Sequence, residues 1–469
     1  MSELRYERLA DDVAGLIADG VLRAGERLPS VRRLAQERRV SISTAVQALR
    51  QLEMRGLVEA RPQSGFFVRA RPQQLISRTA HVTPEVPVAV DLNQRLVAVL
   101  QANQRPGVVP LGAALPAPGL LPVAALHRCY VSVARRFPTL LNGASHTDIN
   151  DAALVRQILL RSLSWGGPFD ADEVVITNSC TEAMSLCLRA VTRPDDTVAV
   201  ESPGYYVMLQ LLESLGLRAL EIPTDPETGM SVAALDLATR DGKVAAVLLV
   251  PNASNPLGSV MSDESKRKLA ALATARDLAV IEDDIYGDLC YDNQRPWPLK
   301  GFDTSGNVML CASYSKCLSP ALRIGFVAAG KYRQKVALQK MLSSGGTNPI
   351  TQRVLAEMFE SGAYDRQVRL LRRHFQGQVE QMMAAVARYF PVGTQVARPL
   401  GGFVLWVELP KEIDTAALWQ RAIAENIAFV PGDLFSPSRL YRNCLRLNCG
   451  NPWTETTEAA IRRLGELAV

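Results

Sequence analysis

Seven short, almost wholly apolar runs between residues 174 and 330 restrict the fold more than any other feature of the chain. They are VVIT (174–177), TVAV (197–200), ALEI (219–222), VAAVLLV (244–250), LAVIED (278–283), VMLCAS (308–313) and IGFVAAG (324–330). A strand with one face in water alternates apolar and polar residues; strands as uniformly apolar as these are buried on both faces. Separated by helix-like stretches, they predict an α/β body with a mostly parallel sheet of seven strands covered by helices. Ligands of such sheets bind beyond the carboxyl ends of the strands. The polar residues just past each run are therefore the candidates for function.

Those residues form a set. TNSCTEAM follows the first run, with small residues at a helix start, where free backbone N–H groups favour a phosphate. ESPGYY follows the second and offers Tyr205; PNASNPLG follows the fourth and offers Asn255 on a proline-bounded turn. The fifth run ends in EDDIY, with Asp283 and Tyr286, and the sixth leads into SYSKCLSPALRIGF, which sets Lys316 between Ser313, Ser315 and Arg323. A lysine at the end of a buried strand is costly unless a partner or a reaction uses its charge. Pyridoxal 5'-phosphate accounts for all of them together. It needs a lysine for its covalent link, an acid at the ring nitrogen, donors to the ring hydroxyl, an aromatic face and a phosphate cradle.

On NPLG, EDDIY, SYSKCLSPALRIG and CLRLNCG, in that order, residues 108–469 resemble the fold type I aminotransferases. The resemblance implies a mixed form of the sheet, a large part over about 145–340 and a small C-terminal α+β part over about 345–469, to which GGFVLWVEL (401–409) belongs. It makes Lys316 the cofactor lysine, pairs Asp283 with the pyridine nitrogen, and gives the ring oxygen to Tyr286 and Asn255. Tyr205 would stack on the ring; Ser179, Cys180, Thr181, Ser313, Ser315 and Arg323 would hold the phosphate. Arg446 would take the carboxylate of an amino acid or related amino compound. Two positions depart from the pattern: His146 stands where many relatives have tyrosine, and Gln367 where they often have histidine.

The leading 72 residues are a different kind of sequence. They carry thirteen arginines, no lysine and nine acids, so +4 of the chain's net +5 lies there. All-arginine basic character suits phosphate contact. YERLADDVAGLIADGVL is amphipathic at helical spacing, SVRRLAQERRV reads as a second short helix, and SISTAVQALRQLEMRGLV begins a third at a serine cap. LVEARPQSGFFVRA reads as two strands around a Ser-Gly turn. Three helices and a hairpin predict a winged helix-turn-helix whose third helix enters the major groove of duplex DNA.

GERLPSVRRLA, VSISTAVQALRQLEMRGLV and SGFFV resemble the GntR family of bacterial regulators. The resemblance implies DNA contacts from Arg27, Arg32, Ser41, Ser43, Thr44, Gln47 and the wing tip Ser64–Gly65. Ile42 and Val46 stand where many relatives carry arginine or another polar residue, so base reading leans on hydroxyls, Gln47 and thymine-methyl contact.

Between the two segments, residues 73–107 read as a linker, proline-bearing in its first half, with DLNQRLVAVLQ as a short helix. About 20 extended residues reach roughly 65–70 Å, enough to carry the reader over a neighbouring subunit in a domain-swapped homodimer. The composition, 48% hydrophobic and 21% charged, is that of a globular chain, and no apolar run approaches the roughly 20 residues of a membrane span. Eight cysteines without CxxC spacing and four histidines predict free thiols, no metal site and a cytoplasmic location.

A GntR-like reader joined to an aminotransferase-like body resembles the MocR-like subfamily. That arrangement implies a homodimeric transcriptional regulator that binds an operator, pyridoxal phosphate and an amino acid or amino compound as effector. The alternative is a working aminotransferase that carries a DNA-binding domain, because every group transamination needs is kept.

Overall fold

The computed structural model describes residues 5–18, 22, 26–38, 40–54, 57–61, 65–68, 73–74, 86–91, 93–103, 105–142, 150–167, 169–292 and 294–469. Ser64 and His146 lie outside them. The leading helices α1 (Arg5–Ala18), α2 (Val31–Glu37) and α3 (Ile42–Met54) close on Leu9, Val13, Leu34, Ala45, Leu49 and Leu52. Within each helix these apolar residues recur at helical spacing and so face one core. Ser30 caps α2 by accepting the Arg33 N–H at 3.3 Å, and Ser41 accepts the Thr44 N–H at 3.1 Å at the start of α3. β1 (Val58–Arg61) and β2 (Gly65–Val68) form an antiparallel wing. The stretch Glu26–Leu28 borders β2: Leu28 N–H donates to Phe66 O at 2.8 Å and Val68 N–H to Glu26 O at 2.9 Å.

The second half of the linker is packed rather than free. Helix α4 (Asn93–Ala102) buries Leu96 and Val99, with Val90, in the same core as the central sheet. The packed body therefore begins upstream of residue 108. Ten residues of this helix are marginal alone; an apolar face docked on a body is what stabilises them. Gln73–Gln74 adds in parallel to Gln395–Val396 of the small part's sheet.

All seven apolar runs form one sheet: β3 (Val174–Thr177), β4 (Thr197–Ser202), β5 (Arg218–Asp225), β6 (Val244–Leu249), β7 (Ala279–Asp283), β8 (Val308–Ser313) and β9 (Gly325–Ala328). The spatial order is β5-β4-β6-β7-β8-β9-β3. The first five in that order are mutually parallel. β9 runs antiparallel to both β8 and β3, with Gly325 opposite Ser313 on one side and Thr177 on the other. Two short strands, Val88–Ala89 and Gly229–Met230, border β5 beyond the seven expected. Because β9 is reversed, its first residues lie at the same edge of the sheet as the last residues of its neighbours. That reversal brings Arg323 to the strand ends that carry Ser313 and Thr177.

Helices α5 (Cys180–Val191) and α6 (Arg333–Ser343) pack together on the sheet, and α7 (Ala363–Tyr389) runs on into the small part. There β11 (Cys444–Asn448) lies between β10 (Val404–Glu408) and Val430–Pro431. Leu445 and Leu447 join Val379, Met382 and Val386 in the small part's core. Alternation along the strand sends Arg446 to the opposite face. Among the described residues, no helix is long and apolar enough to cross a membrane.

Candidate functional site

Asp283, the last residue of β7, is buried, and its carboxyl accepts the Cys180 thiol and the Ile285 N–H, both at 3.1 Å. Burial pushes this carboxyl up to about 6, against the pull of those two donors. Such a group stays ionised best with a cation against it. Tyr286 is buried with its ring edge-on to Phe403 at 5.6 Å, and burial raises its phenol well above the ordinary range. Gly402, beside the Tyr286 ring, has φ +73, a left-handed backbone conformation that favours glycine.

Lys316 follows β8. Its Nζ donates to the Ala114 carbonyl at 2.6 Å. Burial first, then the Arg446 charge, push its amine down to about 8, with Asp283 opposing. The amine is thus far more often neutral than an exposed lysine, the state a nucleophile needs.

Of the phosphate candidates, the start of α5 lies against β9 and Ser313 lies against Ser315. Ser179 is the N-cap of α5, in extended conformation, and accepts the Glu182 N–H at 3.0 Å. A Cβ on Gly325 would come within 2.8 Å of the Ser179 carbonyl carbon and 3.1 Å of the Cys180 nitrogen. Glycine there lets the start of α5 lie directly on β9. Ser313 is buried and reaches Ser315 at 3.4 Å between hydroxyls. Arg323 sits at φ +48 just before β9, exposed, without an acid partner among the described residues. Thr181 is exposed on the first turn of α5. The Cys180 thiol, bonded to Asp283, is pushed well up by burial and does not act as a thiolate.

Arg446 is 0% exposed. Its Nη1 donates to Asn255 Oδ1 at 3.2 Å; its Nη2 donates to the Gly112 carbonyl and lies 3.5 Å from the Tyr206 hydroxyl. Its Cζ lies 5.3 Å from the Tyr206 ring centroid and 5.5 Å from that of Phe435. Its Nε is buried without a hydrogen-bond partner, and so is Asn255 Nδ2. A buried guanidinium lacking a carboxylate is expensive, and each orphaned donor adds to the cost. Both donors fit missing acceptors: a ligand carboxylate at Arg446 and a ring oxygen at Asn255. Tyr205 is half-buried, 4.9 Å from the Tyr206 ring, and its phenol is raised by burial, then by Tyr206 and Tyr286.

Sequence reasoning missed four participants. Gly112 and Ala114 act through backbone carbonyls, which no residue type advertises; Tyr206 and Phe435 carry no local signal that sets them apart from other aromatic residues. Gln367, one of the two departures, donates to the Leu120 carbonyl at 2.7 Å.

On the DNA-binding segment, Arg27, Arg32, Ser41, Ser43, Gln47 and Gly65 are exposed and Thr44 is half-buried. The Ser41 hydroxyl lies 2.8 Å from that of Ser43 and 2.7 Å from that of Thr44. Ile42 is 56% exposed at the first position of α3, whereas Val46 is half-buried. The Arg27 Nε would lie 3.5 Å from a Cβ on Gly65, so this arginine reaches the wing.

Residues 152–464 match the family model for class I and II aminotransferases, and residues 5–68 that for the gntR family of bacterial regulatory proteins. The chain is 38% identical over 467 residues to the HTH-type transcriptional regulator YjiR of Escherichia coli K12, covering 98% of each. It is 30% identical over 305 residues to aromatic-amino-acid aminotransferase 1 of Thermococcus litoralis, covering 64% of this chain and 73% of that one. Among solved structures, the α-aminoadipate aminotransferase LysN of Thermus thermophilus, complexed with N-(5'-phosphopyridoxyl)-L-leucine, aligns with TM-score 0.72 and 27% identity. The alignment covers 80% of this chain and 94% of that one. The chain belongs to the class I and II aminotransferase family and, through its leading domain, to the GntR regulators, joined in the MocR-like arrangement.

Proposed function

We propose that the chain is a homodimeric transcriptional regulator whose body holds pyridoxal 5'-phosphate on Lys316 and whose affinity for an operator responds to an amino acid or related amino compound. The observation that carries the effector is Arg446: fully buried, without an acid partner among the described residues, and with an unused Nε donor.

The cofactor, linked through Lys316, supplies an electrophilic carbon and an electron sink. Asp283 would hold a proton at the ring nitrogen, and Asn255 Nδ2 and the Tyr286 hydroxyl would donate to the ring oxygen. Tyr205 would offer its ring as a stacking partner. The α5 start, Ser313, Ser315 and Arg323 would hold the phosphate, the arginine by a charge-assisted pair. Arg446 takes the effector's carboxylate by both prongs of its fork.

That carboxylate competes with the Gly112 carbonyl for Arg446 Nη2. The Gly112 N–H is held by Asn103 Oδ1 at 3.0 Å, and Asn103 Nδ2 donates to Val99 O of α4 at 2.8 Å. Displacing Gly112 therefore pulls on the packed end of the linker, a route by which occupancy biases the DNA-binding segment. The test titrates a mapped operator fragment with cofactor-loaded protein while amino compounds are varied. A shift of operator affinity within the usual 5–150-fold range of allosteric coupling supports the reading. Measurable transamination with no effect on DNA favours the enzyme reading, which rests on the same retained groups.

Two further outcomes are expected. Light scattering at micromolar concentration should give twice the chain's mass, and footprints should show two half-sites, as two readers on one dimer require; a monomer overturns this. Arg32→Ala should lower the salt slope of DNA affinity by about 0.9 and weaken all sequences alike, measured by anisotropy over a salt series.

A further inference from the structure

The start of α5 contains an acid that ought to repel the phosphate it is read as binding. Ser179-Cys180-Thr181-Glu182 carries a variant of the capping box, with its return bond one residue upstream of the cap: the Ser179 hydroxyl accepts the Glu182 N–H at 3.0 Å while the Glu182 carboxylate accepts the Asn178 N–H at 2.5 Å. Asn178 Nδ2 donates to the same carboxylate at 3.2 Å. An acid in the first turn stabilises a helix. At a phosphate cradle the same charge sits within one turn of a dianion.

The structure supplies a counter-charge. Lys340 of α6, at 0% exposure, donates from Nζ to Glu182 Oε2 at 3.0 Å and Oε1 at 3.3 Å. Ser344 receives the Lys340 Nζ at 2.8 Å and donates to Glu182 Oε1 at 2.5 Å. Burial pushes the Glu182 carboxyl up, but Asn178, Ser344 and Lys340 together hold it below its ordinary value, so it is an anion. A lysine is rarely buried in full, and an isolated pair at such depth stabilises a fold little. Docking α6 on α5 needs no charge at this position; cancelling Glu182 does.

We infer that Lys340 is a positioning residue for the cofactor's phosphate: by neutralising Glu182 it lets α5 keep its capping acid and still receive a dianion. This rests on the reading of the α5 start as the phosphate cradle. The pair leaves the ring and the covalent link alone, so its effect belongs to the phosphate only.

The test compares pyridoxal phosphate with pyridoxal, which lacks the phosphate, on cofactor-stripped full-length protein, with binding followed by absorbance. Lys340→Met is expected to weaken pyridoxal phosphate tenfold or more while leaving pyridoxal within about twofold. Lys340→Met with Glu182→Gln removes both charges and should return pyridoxal phosphate to near the unaltered affinity; Lys340→Arg should retain it. If Lys340→Met does not fold, Glu182→Gln alone decides: the phosphate compound should bind as tightly or more tightly, and weaker binding overturns the inference. Equal weakening of both compounds, or a double variant as weak as Lys340→Met, makes the pair purely structural and overturns it too. If the unaltered protein binds pyridoxal but discriminates no phosphate, the cradle reading itself fails; if it binds neither compound, the cofactor reading fails.

Discussion

Lys316→Ala is expected to abolish the long-wavelength absorbance of the cofactor-loaded protein while its far-ultraviolet circular dichroism stays unchanged. The only covalent attachment is lost, whereas the hydrogen bond removed, Lys316 Nζ to Ala114 O, joins a segment also tied by Ala117 N–H to Gly450 O at 2.9 Å. Cofactor uptake by the unaltered protein carries a pH signature as well. Attack on the aldehyde needs the neutral amine. With the amine pushed down to about 8 by burial and then by Arg446, the uptake rate should climb from pH 6 to 8 and level off by about pH 9. At an ordinary value near 10.4 the neutral fraction at pH 7 would be roughly two hundredfold lower and the rate would still be rising past pH 10. Stopped-flow absorbance across this range distinguishes the two curves. Absorbance persisting in Lys316→Ala would overturn the cofactor assignment.

Arg446→Ala is expected to remove the effector's influence on operator affinity and to leave the cofactor bound. Lys316 and the phosphate residues lie on the large part, so the cofactor does not depend on β11. Breaking one side of a buried charge pair costs about 3–5 kcal/mol, roughly two to nearly four orders of magnitude in effector affinity. A coupling of about 1–3 kcal/mol is then invisible at practical concentrations. Arg446→Lys keeps the charge but loses the planar fork that bonds Gly112, Asn255 and Tyr206 together, so it should recover only a small part of the response. The measurement is an operator titration with and without effector, alongside the cofactor spectrum. A response unaltered in Arg446→Ala means that the effector lacks a carboxylate or that the cofactor itself is what the protein senses.

Much of this was legible in the chain. Burial on both faces leaves a local signature, so β3 to β9 could be read as apolar runs. The topology rule for such sheets then pointed to Ser179, Asn255, Asp283 and Lys316 without any knowledge of their contacts. The serine cap of α3, Ser41, was legible too, since a helix start satisfies its N–H groups from within three residues. α4 was visible as a pattern but not as part of the body, because its stability comes from the surface on which it docks.

What the tertiary structure alone decided is how those strand ends are completed. Ala114 meets Lys316 across 202 positions and Gly112 meets Arg446 across 334, both through backbone carbonyls that every residue possesses. The antiparallel course of β9 sets Gly325 opposite Ser313 and so brings Arg323 to that end of the sheet, and no residue of β9 signals its direction. Lys340 reads as one more charge on an amphipathic helix until α6 packs on α5 and buries it against Glu182, 158 positions away. Sequence patterns record which side chains leave water, because that is a property of each residue and its near neighbours. Which buried charge faces which acceptor is set by the order of strands and the docking of helices, and those follow from contacts too distant along the chain to leave a local trace.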